Sequence, residues 1–339
     1  MRIRIGIALA ATMLAVPAMA GGLPPAKSTF TVTNLVSDQA GVAANTDADL
    51  VNPWGISRAP GAPNWVSDNG TDKSTVYDES TGSKSLSVNI PMGAPTGTVY
   101  SSGLGFTVTK GSKSGDAEFL FDSESGVISG WSSAVDFANA VVAVDNSAKG
   151  SVYKGLEIDP TGKQIYAADF VHNDVEIYNN KFKLVGKFTD PGLPKHFAPF
   201  NVALLNGKLY VAFAKRKPGG IDEIDRKGLG YIDVFDTSGN LQQTLIANGK
   251  LDAPWGMTIA PSGFGKYAGD LLVGNFGDGH INVFDPNTGD YMGMLHGADG
   301  KTLVIDGLWA LLAGPGSSVT FSAGPDDESH GLLGLISPN

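Results

Sequence analysis

Side chains that bind metals or transfer protons recur in short loops along this 339-residue sequence. Four such loops, each following an apolar stretch, hold Asp68, Asn69 and Asp72; Asp169, His172, Asn173 and Asp174; Asn275, Asp278 and His280; and Asp326, Asp327, Glu328 and His330. Carboxylate and amide oxygens are the ligands that calcium prefers in proteins. Asp and Asn also dominate tight turns, because they tolerate positive φ and bond their own main chain. A ligand role and a turn role therefore stay open for each loop.

One further acid is singled out by a repeated motif. The segment from Asn52 to Ser57 contains Pro-Trp-Gly, and the same tripeptide returns between Ala253 and Thr258. A third copy lacks the Trp and places Glu157 where the other two copies carry a hydroxyl residue. A buried carboxylate is unfavourable unless it is paired or bound to a metal. Glu157 is thus the preferred single candidate for a metal ligand.

The aromatic residues of the repeat allow two interpretations. Trp54, Phe200, Trp255 and Trp309 stand at corresponding points of their segments. They either pack neighbouring segments together or line a pocket, since Trp buries a large area at a small loss of rotamer freedom. The hypothetical ligand-binding set is Trp54, Asp68, Asn69, His172, Trp255 and His280. The hypothetical metal-binding set is Glu157, Asn201, Asn275 and Asp278.

Several enzyme classes lack their usual signatures. The chain contains no Cys, which excludes disulfides, thiol catalysis and Cys-bound zinc. It also has no Gly-x-Ser-x-Gly elbow, no phosphate-binding loop and no His-Glu-x-x-His motif. Serine hydrolases, nucleotide-binding enzymes and zinc proteases are disfavoured.

The elements that carry these residues are predicted to be strands. Apolar and polar residues alternate over short segments separated by Gly, Asp and Asn turns, which is typical of β-structure. The repeated units begin near Asn52, Pro95, Ser151, His196, Pro254 and Ile305. Each unit has room for the four strands of a propeller blade.

The last unit is one strand short, and an unassigned strand at Phe30–Val36 can complete it. Such pairing would close the ring and remove an exposed strand edge. The sequence therefore predicts an all-β fold, a six-bladed β-propeller of four-stranded blades that the N-terminal strand closes. In this fold the loops between second and third strands share one face with the loops that enter each blade, and we call this the loop face. A pocket is expected there, rimmed by the ligand-binding set together with Asn275 and Asp278, with Glu157 and Asn201 deeper in.

The motifs Asn52-Pro-Trp-Gly-Ile, Gly274-Asn-Phe-Gly-Asp-Gly279 and Phe321-Ser-Ala-Gly-Pro-Asp-Asp-Glu328 together resemble a family of exported bacterial proteins related to NHL-type six-bladed propellers. The resemblance extends from about Phe30 to Ser337. It implies the fold and no particular activity.

The N-terminus and the composition predict export. Arg2 and Arg4 precede an apolar run from Ile5 to Val16, and a small-x-small cleavage pattern ends at Ala20. Residues 1–20 are therefore expected to be a signal peptide and residues 21–339 a single propeller domain in the periplasm or outside the cell. No later segment is apolar enough to span a membrane. The net charge of −10 disfavours nucleic acid as a partner.

Two functional hypotheses remain. In the first, the protein is a binding or scaffold module whose loop face takes an extracytoplasmic protein, a glycan or a small molecule. In the second, it resembles the metal-dependent lactonases and lyases built on six-bladed propellers, with a divalent cation such as calcium near the axis. A mixed-charge insertion at Lys215–Gly228 would lie on the loop face, where it could cover a pocket, contribute cations or remain a solvated hairpin.

Overall fold

The computed structural model describes residues 29–339, and in these the chain forms six antiparallel sheets arranged as the blades of a propeller. The predicted signal peptide lies outside the described residues. Each blade begins within three residues of its predicted start, so the all-β fold and its six blades are confirmed. Among residues 29–339 no helix has the length and apolar character needed to cross a membrane.

Within each of the first five blades the strands come in chain order, from the innermost strand next to the axis to the outermost strand. Two strands precede the first blade: β1 (Phe30–Ser37) and β2 (Asn45–Thr46). Blade 1 comprises β3 (Pro53–Ser57), β4 (Asn64–Asp68), β5 (Lys73–Tyr77) and β6 (Lys84–Asn89). Blade 2 comprises β7 (Pro95–Tyr100), β10 (Phe119–Ser123), β11 (Val127–Trp131) and β12 (Val141–Asp145), with an inserted hairpin of β8 (Thr107–Lys110) and β9 (Lys113–Asp116).

The remaining blades repeat this arrangement. Blade 3 comprises β13 (Tyr153–Ile158), β14 (Gln164–Asp169), β15 (Asp174–Asn179) and β16 (Leu184–Phe188). Blade 4 comprises β17 (Phe197–Leu205), β18 (Lys208–Lys215), β19 (Gly230–Phe235) and β20 (Leu241–Ala247). Blade 5 comprises β21 (Pro254–Ile259), β22 (Leu271–Asn275), β23 (Ile281–Phe284) and β24 (Tyr291–Met294). Blade 6 comprises β25 (Leu308–Ala313), β26 (Val319–Ala323) and β27 (Leu332–Pro338), together with β1. Short 3-10 helices lie at Asn69–Thr71, Ser147–Lys149 and Gly265–Tyr267.

The N-terminal strand closes the ring as predicted. Strand β1 pairs antiparallel with β27, from Phe30 opposite Pro338 to Ser37 opposite Leu332. The blade therefore takes its fourth strand from one end of the chain and its other three from the other end, and the short β2 extends the sheet by pairing parallel with β1. This pairing satisfies the edge of β27, which would otherwise present open backbone groups.

The inner strands are buried over most of their length, and glycines let them approach one another. A Cβ on Gly55 would lie 2.6 Å from the carbonyl oxygen of Thr96 in the next blade. Only glycine, which has no Cβ, permits so close an approach of two backbones. The same kind of contact recurs at three further inner strands, in the pairs Gly97 with Leu156, Gly155 with Asn201, and Gly256 with Trp309.

We expect Phe30→Ala to destabilise the ring closure severely. The Phe30 ring is 1% exposed and stacks on Phe264 at 4.7 Å, and its backbone N–H donates to the His296 carbonyl at 2.8 Å. Truncating such a ring typically lowers the free energy of unfolding by about 3–5 kcal/mol. Urea unfolding of a chain of residues 21–339 measures the loss. Leu184→Ala, in the exposed outer strand of blade 3, serves as the control, and equal urea midpoints for the two variants would contradict this role of β1.

Candidate functional site

Aromatic side chains fill the axis on the side of the loop face. The indole rings of Trp54 and Trp309 stack with centroids 3.5 Å apart, and Trp255 meets Trp54 edge-on at 6.1 Å. Phe200 and Phe170 complete this aromatic layer. All five residues are at most 4% exposed. The layer thus shows the packing interpretation of these rings, and the partly buried Phe276 stacks on Trp309 at 4.0 Å.

A lysine stands among these rings. Lys154 occupies in blade 3 the place that Trp54 and Trp255 occupy in their blades, directly before the inner-strand glycine. Its Nζ lies 5.0 Å from the centroid of the Trp54 ring and 5.7 Å from that of Phe170, within range of cation–π attraction. The side chain is only 3% exposed. A cation is therefore buried at the axis, where other blades contribute rings.

Three glutamates from alternate blades surround this cation. Glu124 lies between β10 and β11, Glu223 in the blade 4 insertion, and Glu328 between β26 and β27. The Lys154 ammonium donates a 2.6 Å hydrogen bond to Glu124 Oε1. Burial lowers the pKa of Lys154, but the attraction of the three carboxylates outweighs burial and leaves this pKa above its ordinary value. Lys154 therefore stays charged.

Two of the carboxyl groups are poorly accommodated as anions. Burial raises the pKa of Glu223 to about 6, although the charge of Lys154 opposes the rise. Burial and the charge of Glu223 raise the pKa of Glu328 to about 7. Glu223 is 7% exposed, and within residues 29–339 its Oε2 has no hydrogen-bond partner. Both groups can therefore take up or release a proton near neutral pH.

The insertion of blade 4 covers the lysine from the loop face. Its two arms are joined by hydrogen bonds from Arg216 Nη1 to the Gly220 carbonyl, at 3.0 Å, and from the Ile224 N–H to the Lys215 carbonyl, at 2.7 Å. Glu223 points inward from this loop, whereas Ile221 at its tip is 47% exposed. Of the three roles considered for Lys215–Gly228, this geometry supports the first, in which the insertion covers the space around Lys154.

A cavity of 380 Å³ occupies the axis on the other side of the aromatic layer. All six inner strands line it, and it reaches their far ends at Arg58, Tyr100 and Leu205. Glu157 stands on its wall, where Oε1 accepts a hydrogen bond from the Ile158 N–H at 2.7 Å and Oε2 one from the Leu204 N–H at 2.8 Å. Solvent reaches this carboxylate through the cavity, but protein surrounds it. Burial raises the pKa of Glu157 to about 7 despite the two hydrogen bonds.

The predicted ligand-binding residues fall into separate places. Trp54 and Trp255 lie in the aromatic layer next to Lys154, and Asn69 joins them through a 3.0 Å hydrogen bond from its Nδ2 to Glu124 Oε2. Asp68 is fully buried inside blade 1, where its Oδ2 accepts a 2.7 Å bond from the Thr75 hydroxyl.

The predicted histidines pair with local carboxylates instead of joining this cluster. His172 Nδ1 lies 2.7 Å from Asp169 Oδ2 in blade 3, and His280 Nδ1 lies 2.8 Å from Asp278 Oδ2 in blade 5.

The four predicted metal ligands form two separate pairs. Asn275 Nδ2 donates to Asp278 Oδ1 at 2.9 Å in the loop after β22. Asn201 and Glu157 instead line the axial cavity, and Asn201 Oδ1 already accepts a 2.8 Å bond from the Val202 N–H. In the part of the chain that the structure describes, no three His, Asp or Glu side chains are grouped closely enough to hold a metal ion.

Sequence reasoning named Glu328 among the loop acids and the insertion that carries Glu223, but it missed their grouping with Lys154 and Glu124. One signal was available, because aligning the repeats places Lys154 opposite Trp54 and Trp255. The glutamates carried no comparable signal, since each lies in a loop of different length.

Comparison with known sequences shows the family. No family model matches the chain, so the resemblance to exported bacterial NHL-like proteins stays a prediction. The uncharacterized protein L690 of Acanthamoeba polyphaga mimivirus is 35% identical over 329 residues, which cover 92% of this chain and 86% of the viral protein. The uncharacterized protein R648 of the same virus is 32% identical and covers 92% of this chain and 81% of its own length. The chain belongs to the family of these viral proteins.

Solved structures share the fold at low identity. A streptogramin B lyase structure aligns with a TM-score of 0.54 at 10% identity, over 91% of this chain and 98% of the lyase. A catalytically inactive virginiamycin B lyase from Staphylococcus aureus with quinupristin gives the same TM-score at 12% identity, over 91% and 99% of the two chains. Likeness at such identities shows the propeller and not an activity.

We expect Lys154→Met to destabilise the protein strongly above neutral pH and less in acid. Removing one partner of a buried ion pair typically lowers the free energy of unfolding by about 3–5 kcal/mol. The pKa values of Glu223 and Glu328 are already raised in the folded state, so protonation near pH 5 favours folding and should restore part of the loss. Urea unfolding at pH 8 and pH 5 measures both effects.

Lys301→Met is the matched control, because the Lys301 side chain is 85% exposed. It should behave as the unaltered protein at both pH values. A Lys154→Met protein that loses as much stability at pH 5 as at pH 8 would contradict the glutamate cluster as the cause.

Proposed function

We propose that the protein is a ligand-binding propeller whose site lies at the centre of the loop face, above the aromatic layer. The observation that supports this most is the buried Lys154 with Glu223, whose Oε2 lacks any partner in the described chain. Buried polar atoms are almost always hydrogen bonded in native proteins, and exceptions often mark a place for another group. A ligand donor that replaces solvent there would complete the site.

The ligand should be neutral and rich in hydroxyl or amide groups. Lys154 already has an anionic partner in Glu124, so a further anion would meet the repulsion of Glu328. The ammonium carries three N–H donors, of which one is used by Glu124, and can donate to a ligand oxygen. Carboxylates at Glu223 and Glu328 can accept from ligand hydroxyls. A glycan or a small polyhydroxylated molecule has both kinds of group.

Binding requires the insertion to move, because Glu223 and the rest of this loop cover Lys154. Access would be gained at the loop tip, where Gly219 and Gly220 follow each other and Ile221 is exposed. The loop would then close over the ligand, which would lie between Lys154 and Glu223.

We expect Glu223→Gln and Glu328→Gln each to weaken glycan binding about tenfold or more, because hydrogen bonds to charged groups contribute about 1.5–3 kcal/mol. The probes are maltotriose, chitotriose and xylotriose, titrated calorimetrically into the mature protein. Glu118→Gln is the matched control, since Glu118 hydrogen-bonds Ser133 in blade 2 and takes no part in the cluster. Saccharide binding that is equally strong in both cluster variants and the control would place the site elsewhere.

Acid–base catalysis is the second candidate function. It is favoured by the pKa values of about 6 and about 7 at Glu223 and Glu328, because groups that titrate near neutrality are suited to proton transfer. A lyase-like reaction would use one carboxyl as base and the other as acid. The residues do not fit the divalent cation of the metal-dependent hypothesis. Calcium takes six to eight oxygen ligands. The side-chain oxygens of Glu157 and Asn201 already accept hydrogen bonds from backbone N–H groups.

We also propose export, with residues 1–20 as a cleaved signal peptide and residues 21–339 as the mature domain in the periplasm or outside the cell. Arg2, Arg4 and the small residues before Gly21 support this. Membership of the exported bacterial NHL-like family would agree with it. Intact-mass measurement of protein recovered from the medium or periplasm of a bacterial host should give a chain beginning at Gly21. A secreted chain that retains Met1 would contradict the proposal.

A further inference from the structure

The axial cavity is separate from the loop-face site. Its walls come from the inner strands of all six blades, and Trp255 of the aromatic layer lies at its inner end. At 380 Å³ it falls within the range of small-molecule sites, which span about 300–1,000 Å³. It can therefore hold one small organic molecule.

The cavity wall is mostly hydrocarbon. The apolar part is formed mainly by Leu156, Val202, Leu204, Met257, Leu311 and Leu312. Two of its hydroxyl groups, on Ser57 and Thr98, hydrogen-bond each other at 3.0 Å. Such a wall favours an apolar body, because the transfer of apolar surface out of water is favourable.

Among residues 29–339, Glu157 is the only acid that lines the cavity, and no cation faces it. Arg58, at the far end of the cavity, forms an ion pair with Glu79 at 2.9 Å and donates a hydrogen bond to Asn64 Oδ1 at 3.2 Å. Tyr166 lies opposite Glu157 in the strand register, but its hydroxyl donates to the Thr237 carbonyl. Each oxygen of Glu157 holds one backbone N–H, which leaves each a second direction for a hydrogen bond.

We propose that the axial cavity binds a small primary ammonium compound, with its ammonium on Glu157 and its hydrocarbon body against the leucines. An ammonium supplies the missing positive charge and up to three donors. A bare metal ion would need more oxygen ligands than this wall offers. The hydrocarbon body accounts for the apolar lining, which neither a metal ion nor a glycan would use.

The pairing predicts a definite pH dependence. The ammonium binds the ionised carboxylate, and burial raises the pKa of Glu157 to about 7. Below that pH the acid is neutral, so affinity should fall about tenfold for each further pH unit. The neighbouring Tyr166 does not reverse this sign, since burial raises its pKa further from neutrality.

The test is calorimetric titration of the mature protein with n-hexylammonium, and with n-hexanol as the neutral isostere. At pH 8 hexylammonium should bind at least tenfold more tightly than hexanol, and this preference should disappear at pH 5. Glu157→Gln should remove the preference at both pH values while hexanol binding persists. Glu118→Gln and Glu223→Gln should bind hexylammonium as the unaltered protein does, which distinguishes this cavity from the loop-face site.

Three results would overturn the inference. They are equal affinity for the amine and the alcohol at pH 8, tighter amine binding at pH 5 than at pH 8, and unchanged amine binding in Glu157→Gln. Should Glu157→Gln fail to fold, the pH profile and the comparison with hexanol in the unaltered protein decide the question by themselves.

Discussion

The structure depends on the contact of six inner strands around one axis. Backbones of neighbouring blades approach there so closely that Gly55, Gly97, Gly155 and Gly256 leave no room for a Cβ. The residue before each of these glycines is consequently carried to the axis. A side chain at that position is shielded from water by the other five blades. Burying a polar or charged group there is therefore unfavourable unless the group is paired or hydrogen-bonded.

Lys154 shows the consequence of placing a charge at that position. An isolated buried ammonium would be strongly unfavourable, and only well-placed opposite charges can offset the loss of hydration. Glu124 and Glu328 come from short loops that begin close to the axis, whereas blade 4 supplies Glu223 only through an insertion long enough to fold back over the ring. The lysine and the insertion are therefore physically linked. Without Lys154 the inward turn of Glu223 would bury an unpaired carboxylate.

The sequence predicted the fold well because the relevant signals are local. Alternating strands, turn residues and the repeated Gly mark each blade, and the missing strand of blade 6 identifies β1 as its partner. The site was harder to predict, because loop conformation decides where a polar side chain points. Asp68 turns into its own blade, and Glu328, held at a φ of 65°, faces Lys154. The aromatic layer also divides the axis, and no single repeat reveals that division.

Strand β13 carries both unusual axial residues, and a bulge explains how it can. In a regular strand, residues three apart point to opposite faces. The pairing of β13 with β14 shifts register between Tyr153 and Leu156, and an extra residue of this kind resets the alternation. Lys154 and Glu157 therefore both face the axis, one in the aromatic layer and one in the cavity beyond it. The same shift occurs in β3 and β21, where it directs Trp54 with Ser57 and Trp255 with Thr258 to the axis. The bulge is thus a property of the repeat, and blade 3 differs only in the side chains that it places there. Two side chains of one strand thus place an ammonium among the stacked rings and a carboxyl group in the cavity beyond them.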